Sequence, residues 1–423
     1  VKICKSILKG SLFLPPSKSH SLRAILFAML AKGKSIVKNP LFGSSDLESM
    51  IEACKLLGAL ITKNNNELII DGIDLKINGS SDVIHAGNSG IVLRFLTALS
   101  AHSKKPIVIT GDHSIRYQRP MKPLLDALKN LGAQAISTKG DGFAPIIVQG
   151  PIKKNKTHIL GQDSQFVSSL LIMGMLSGLE LEVECAGEKP WIDLTLDWLK
   201  KMNVSYLNDS YCHYKVDKID TIHPFEYKVP GDLSTLSFPV AASLIGDFDL
   251  TIENVDLTDC QGDKKLLDLF AMMGAKYQID AESLSLKVTK RELKGVDCDI
   301  NDFIDALPIL ATVACFATSK TRIYNASIAK SKECNRIQAI AQELTKMGAH
   351  IIVEDDGLTI YPSILKSASL FSHNDHRIAM SLAIAAMNCQ GQSFIKDISC
   401  ISKTYPLFIE EFQRLGALIK PCR

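Results

Sequence analysis

One short phrase recurs along this chain at nearly constant spacing, and that spacing restricts the fold more than any other feature. The phrase is an amphipathic segment, then Leu or Met, then Gly-Ala, then β-like residues. It occurs at Leu57-Gly58-Ala59, Leu131-Gly132-Ala133, Met273-Gly274-Ala275, Met347-Gly348-Ala349 and Leu415-Gly416-Ala417, with a degenerate copy at Met202-Asn203-Val204. The central residues 58, 132, 203, 274, 348 and 416 lie 74, 71, 71, 74 and 68 positions apart. Self-similarity at a fixed period marks a repeated supersecondary unit.

Each phrase has a physical reading. Leu47, Met50, Ile51 and Cys54, and again Met121, Leu124, Leu125 and Leu128, fall at i, i+3, i+4 and i+7, which is one face of a helix. The glycine after each helix suits a left-handed helix end, and Asn203 can take the same conformation. Clusters such as Asn64-Asn65-Asn66, Lys139-Gly140-Asp141-Gly142, Asn208-Asp209-Ser210 and Asp355-Asp356-Gly357 then split the β-like residues into hairpins. A second, more apolar helix with a short strand precedes each phrase: residues 21–31, 90–100, 165–177, 237–245, 306–317 and 377–387 read as these helices. The unit is therefore β-α-β-α-β-β, six times over, in an α/β (α+β) chain.

The last copy runs out near residue 420, before its hairpin is complete, whereas residues 1–14 carry unassigned strand material around Lys9-Gly10. The N-terminus is thus expected to complete the last repeat. Three repeats would form a continuous domain, residues 15–229, and the others a discontinuous one, residues 1–14 plus 230–423. Pro15-Pro16 and Pro230-Gly231-Asp232 mark two adjacent crossings and a hinge.

Composition narrows the function classes. The 423 residues hold 48 Lys+Arg against 45 Asp+Glu, a formal charge of +3, which argues against a nucleic-acid coat or a polybasic membrane binder. Eleven cysteines without a CxxC pair fit a reducing compartment and give no metal-ligand spacing. No apolar run approaches the roughly 18–20 residues that span a bilayer, and lysines interrupt the apolar residues before Pro16, so no signal peptide is read there. A cytoplasmic protein is the expectation.

Helices this apolar are buried on most sides, so the polar residues at their starts need a purpose. The starts read Ser17-Lys18-Ser19-His20, Asn88-Ser89-Gly90, Ser164-Gln165, Ser234-Thr235, Asp302 with Asp305, and Asn374-Asp375-His376-Arg377. Taken singly, each is a simple N-cap. Caps do not explain the accompanying Lys18, Arg23, Arg94, Arg119, Lys332, Arg336, Arg377 and Lys403. Helix N-termini with cations beside them suit phosphates and carboxylates, and a cleft between the domains would gather them.

These segments carry a family resemblance along the full length. Leu14-Pro15-Pro16-Ser17-Lys18-Ser19-His20-Ser21-Leu22-Arg23, His85 to Gly90 with Arg94, Arg119-Pro120, Ser164-Gln165-Phe166, Lys332 to Arg336, Asn374 to Met380 and Lys403-Thr404-Tyr405-Pro406 occur in order. The chain so resembles the enolpyruvyl transferase family, on its 5-enolpyruvylshikimate-3-phosphate synthase side. The resemblance implies a two-domain inside-out α/β barrel (a prism), three repeats per domain, with the active site in the inter-domain cleft.

It also implies a reaction. The enolpyruvyl group of phosphoenolpyruvate passes to the 5-hydroxyl of shikimate 3-phosphate with release of phosphate, a step toward chorismate and aromatic amino acids that the phosphoenolpyruvate analogue glyphosate would inhibit. By the same resemblance Lys18, Ser19, Arg23, Ser164, Gln165, Asp305 and Lys332 hold shikimate 3-phosphate. Lys18, Gly90, Arg119, Gln165, Arg336, Arg377 and Lys403 hold phosphoenolpyruvate. Asp305 is the candidate base, and Glu333 and Lys18 the candidate acids. No metal, organic cofactor, nucleic acid or membrane is implied, and a monomer is expected.

Four positions depart from the family pattern. Asp163 and Glu188 stand where phosphate-binding serines are common, Ile328 where an asparagine is common, and Asn335 where an acid precedes Arg336. Structural alternatives also exist: Asp305 as a cap, Glu333 as an i,i+3 partner of Arg336 on a solvated face, His376 as a core residue, Lys403 as a solvated lysine. Two rival functions are the transferase acting on UDP-N-acetylglucosamine and a non-catalytic anion-binding protein of the same fold. The first typically carries a reactive cysteine before the Arg-Pro segment, and residues 111–119 contain none.

Overall fold

The structure, a computed structural model, describes residues 1–246, 248–289 and 291–421. Two compact units emerge: one is Pro16–Val229, the other Val1–Pro15 together with the chain from Pro230 onward. The period in the sequence becomes a period in conformation. Gly58, Gly132, Gly274, Gly348 and Gly416 all have φ between 94° and 113°, and Asn203 takes φ 56° at the degenerate copy. Each turns a helix end into the next strand, a bend that a residue with a Cβ makes at a cost.

Among the described residues, six four-stranded sheets share one topology: a parallel pair, then two antiparallel neighbours. In the first unit the sheet Glu226–Lys228, Lys34–Lys38, Glu67–Asp71, Leu60–Asn64 takes its parallel edge from the end of the segment. The other two sheets of that unit are built from strands between Ile84 and Val216. In the second unit the strand Lys9–Phe13 pairs in parallel with Asp249–Glu253. The strand Lys2–Cys4 lies antiparallel between Gln392–Lys396 and Ile419–Lys420, so the N-terminus supplies the missing member of the last sheet.

The apolar helices form the core of each unit. In Gly90–Ser100 every residue is buried, and in Leu233–Ile245 likewise; Lys18–Leu30 buries all but its first residue. A helix buried all round has no solvated face to spare, so only its ends can meet water or ligand. Lys18–Leu30 begins three residues earlier than the apolar pattern suggests, because Ser17 caps it there. The helix read over residues 306–317 differs more. A 3-10 turn covers Asn301–Ala306, broken by the non-helical Phe303 (φ −141°, ψ 47°), and the α-helix is only Leu307–Ala314. Pro308 accounts for the start of the α-helix at Leu307, since its ring has no N–H and suits the first turn of a helix. Among the described residues no helix is long and apolar enough to cross a membrane.

Candidate active site

In the unit Pro16–Val229, three buried helices start at capped ends: Ser17 Oγ accepts from His20 N (3.4 Å), Ser89 Oγ from Val92 N (3.4 Å), and Asp163 Oδ1 from Gln165 N (3.0 Å). The cap reading therefore holds at these starts, and the cations stand beside it. Lys18 Nζ lies 3.4 Å from the buried Asp46. The buried Arg23 donates to Thr195 Oγ1 (2.8 Å) and to the carbonyl of Ser19 (3.3 Å), with its guanidinium over the Phe95 ring. Arg94, fully buried, donates to Gln165 Oε1 (2.8 Å), pairs with Asp163 (3.0 Å) and covers Phe166. Gly90 opens its helix so close to these groups that a Cβ there would stand 3.0 Å from Gln165 Oε1, 3.1 Å from Arg94 Nη1 and 3.6 Å from Arg119 Nη1. Ser164 donates from both N (3.3 Å) and Oγ (3.2 Å) to Glu188 Oε2.

The second unit holds a denser cluster. Arg336, 1% exposed, is shared by three carboxylates: Nε donates to Asp375 (2.7 Å), Nη1 to Asp305 (2.6 Å) and Nη2 to Glu333 (2.7 Å). Glu333 also accepts from Lys403 Nζ at 2.6 Å. Arg377 Nη2 reaches Asp305 (2.8 Å) and Ser234 Oγ (2.9 Å), and Ser234 donates on to the helix cap Asp232. The Nε of Arg377 is buried with no hydrogen-bond partner, a donor left over within the cluster. Burial alone would raise the carboxyl of Asp305, but Arg377, Arg336 and Lys332 outweigh it and hold the group well below the usual carboxylate range. Burial likewise works against the charge on Arg336, and Asp375, Glu333 and Asp305 more than restore it.

The family profile described as EPSP synthase (3-phosphoshikimate 1-carboxyvinyltransferase) matches residues 4–412. The chain belongs to the EPSP synthase family. A 3-phosphoshikimate 1-carboxyvinyltransferase of Chlamydia trachomatis serovar L2 is 42% identical to it, over 99% of this chain and 95% of that protein. One of Acetivibrio thermocellus is 39% identical over 100% and 99%. Among solved structures, an EPSP synthase from Acinetobacter baumannii is similar with TM-score 0.79 and 25% identity, covering 98% of each chain. The enolpyruvyl transferase NikO from Streptomyces tendae shares the fold, with TM-score 0.78 at 17% identity.

Set against the EPSP synthase motifs, the residues singled out in the sequence divide into two sets. Lys18, Ser19, Arg23, Gly90, Arg119, Ser164 and Gln165 belong to the first unit. Asp305, Lys332, Glu333, Arg336, Arg377 and Lys403 belong to the second, and all but Lys332 are tied together by the ion pairs above. Lys332 is buried and close enough to act on the charge of Asp305. Several alternatives change in detail. Glu333 does pair with Arg336 at i,i+3, yet the pair is buried rather than solvated, and Lys403 is buried as well. Asp305 sits in the 3-10 turn, not at the cap of the following helix. Asn335 is the N-cap of Arg336–Lys346, its Oδ1 accepting from Gln338 N, and Ile328 packs half-buried against the core.

Asp46 and Thr195, the partners of Lys18 and Arg23, and likewise Asp375, stand outside the site residues that the sequence indicates. Nothing local marks the first two. Asp375 did carry a signal, its place directly before His376-Arg377, but that place points only to a capping role. It does cap the helix His376–Met387, and it holds Arg336 with the same carboxylate.

Proposed function

We propose that this protein is an enzyme, a 3-phosphoshikimate 1-carboxyvinyltransferase, that moves the enolpyruvyl group of phosphoenolpyruvate to the 5-hydroxyl of shikimate 3-phosphate and releases phosphate. The observation that carries the reading is the buried cluster in which Lys332, Arg336, Arg377 and Lys403 meet Asp305, Glu333 and Asp375. A small, highly anionic substrate needs such a concentration of cations: the guanidinium forks of Arg336 and Arg377 match a phosphate or carboxylate edge with two parallel N–H groups, and the lysines add point charges. The full-length relatives carrying that enzyme name support the same reading.

In this proposal the residues of the two units serve one reaction. Lys18, Ser19, Arg23, Ser164, Gln165, Asp305 and Lys332 hold shikimate 3-phosphate; Lys18, Gly90, Arg119, Gln165, Arg336, Arg377 and Lys403 hold phosphoenolpyruvate. Asp305 takes the proton of the 5-hydroxyl while that oxygen bonds to the central carbon of phosphoenolpyruvate. Glu333 or Lys18 delivers a proton to the terminal methylene, making it a methyl group. Elimination then reverses the proton traffic: the deprotonated Glu333 or Lys18 takes one methyl proton back, the double bond is restored and phosphate leaves. Asp305 is a poor base while Arg336 and Arg377 pair with it. Substrate phosphate and carboxylate drawing those cations away would raise its basicity when the hydroxyl arrives.

The architecture that goes with this reading is an inside-out α/β barrel, a prism, in each unit. The wholly buried helices, with three sheets per unit, support it. A monomeric cytoplasmic enzyme without metal or organic cofactor completes the proposal. The test is phosphate release from phosphoenolpyruvate. It should depend on shikimate 3-phosphate and be absent with UDP-N-acetylglucosamine; the reverse preference overturns the assignment.

A further inference from the structure

We propose that Glu188 is a built-in rival of the substrate's phosphate: its carboxylate occupies the seat at Ser164 in the free protein and must be displaced when a phosphorylated acceptor binds. The inference rests on the function proposed above, in which Ser164 holds the phosphate of shikimate 3-phosphate.

Ser164 is the first residue of the helix Ser164–Gly174, where unsatisfied N–H groups and the positive dipole end favour an anion. That end already has its cap, because Asp163 accepts from Gln165 N and is neutralised by Arg94. A second carboxylate is therefore not needed to finish the helix. Glu188 nevertheless enters, only 2% exposed, and one oxygen takes both donors of Ser164, at 3.3 Å and 3.2 Å. It does so at the expense of its own helix. Glu188 stands in the N-cap position of Lys189–Lys201 and makes no side-chain cap bond there; its backbone is left-handed, with φ 48° and ψ 43°. The side chain is turned across to the neighbouring helix instead. Farther along Lys189–Lys201, Thr195 holds Arg23, another residue assigned to the same substrate.

The consequence is a matter of exclusion. One oxygen of Glu188 and one of a phosphate cannot both accept from Ser164 N and Oγ, and the two like charges repel at short range in a water-poor setting. Glu188 thus lowers affinity for the phosphorylated acceptor while leaving an unphosphorylated one untouched. It sets how strongly this protein discriminates between the two.

The experiment compares wild type with Glu188→Gln, which keeps an acceptor for Ser164 and deletes the charge, and with Glu188→Ser, which removes the reach altogether. Shikimate 3-phosphate and unphosphorylated shikimate are titrated calorimetrically, and inorganic phosphate is followed through the amide resonance of Ser164. Both variants should bind shikimate 3-phosphate roughly tenfold or more tightly, the scale of relieving one close charge repulsion, with shikimate changed less than about twofold. The Ser164 amide should respond to inorganic phosphate at correspondingly lower concentration in the variants. Equal or weaker binding of shikimate 3-phosphate by the variants, or parallel changes for both acceptors, overturns the proposal, as does a Ser164 amide indifferent to phosphate in every protein. If wild type fails to turn over shikimate 3-phosphate, the function falls, and the Ser164 titration still decides the role of Glu188.

Discussion

Asp305 receives two guanidinium groups, Arg336 at 2.6 Å and Arg377 at 2.8 Å, and this fixes what it does at each pH. Its folded-state pKa is depressed, so the stability it contributes is complete above the unfolded value of about 3.9 and is lost only as pH falls below it. Across neutral pH the group is ionised, and it becomes an effective base once substrate draws Arg336 and Arg377 away from it. Asp305→Asn should therefore lower kcat by about 100-fold or more at every pH between about 5.5 and 8.5, with no pH at which wild type and variant converge. Steady-state phosphate release measures this, and a variant within a few-fold of wild type would remove Asp305 from the role of base. Gly90 acts at the same scale by what it lacks. A methyl group there meets Gln165 Oε1 at 3.0 Å and Arg94 Nη1 at 3.1 Å, so those side chains must shift by a few tenths of an ångström. Gly90→Ala should raise KM for phosphoenolpyruvate and weaken inhibition by glyphosate, each by roughly tenfold, while the fold persists. Unchanged sensitivity to glyphosate would count against the close-approach argument.

The helix Arg336–Lys346 shows how an element carries such residues into place. Its first residue is Arg336; two turns on, the buried Glu343 accepts from Lys346 Nζ (2.7 Å), from the backbone N–H of Phe371 (3.0 Å) and faces His373 Nε2 (2.8 Å). His373 and Asn374, both left-handed, lead directly to the cap Asp375 and to Arg377. Glu343 thus braces the loop that delivers two residues of the cluster. Burial would raise its pKa, but Lys346, His373 and the Phe371 N–H prevail and lower it. The stabilisation is then present above the ordinary glutamate value near 4.3 and disappears as pH falls through and below it. Glu343→Gln should cost about 2 kcal/mol in urea unfolding at pH 7, and the gap to wild type should shrink below about pH 4. A gap that widens on acidification would reverse the assigned sign.

This element also marks the limit of what the sequence reveals. Arg336 stands in the contiguous motif Lys332 to Arg336 and is legible, whereas Asn335, which the sequence marks only as a departure from the family's acid, is the helix cap. Lys346, the i,i+3 partner of Glu343, is local, but Phe371 and His373 lie 28 and 30 residues away and are set by packing, which no local pattern encodes. Asp46 and Thr195 are hidden for the same reason, whereas the start of the α-helix at Leu307 has a local cause in Pro308 that an apolar run conceals.

At the scale of the whole molecule, the repeat was legible because a left-handed helix end admits few residue types, so the same phrase reappears wherever the unit does. The two units close their sheets in different ways. Every strand of the three sheets in the first unit comes from residues 34–228, and its first repeat takes its parallel edge strand, Glu226–Lys228, from the end of the same segment. That unit contains all its own sheet partners. The segment from Pro230 onward does not. Without Lys9–Phe13, the strand Asp249–Glu253 loses its parallel neighbour; without Lys2–Cys4, Gln392–Lys396 and Ile419–Lys420 lose the strand that joins them. Open strand edges over a buried apolar core favour aggregation rather than folding. Residues 16–229 alone should therefore be soluble and unfold in one cooperative urea transition. Residues 230–423 alone should not, and should regain a cooperative transition when residues 1–14 are joined behind residue 423 through a flexible linker. Circular dichroism across a urea gradient distinguishes these outcomes. Cooperative folding of 230–423 without the N-terminal strands would show that the two pairings are dispensable, and that the unit closes by its helices alone.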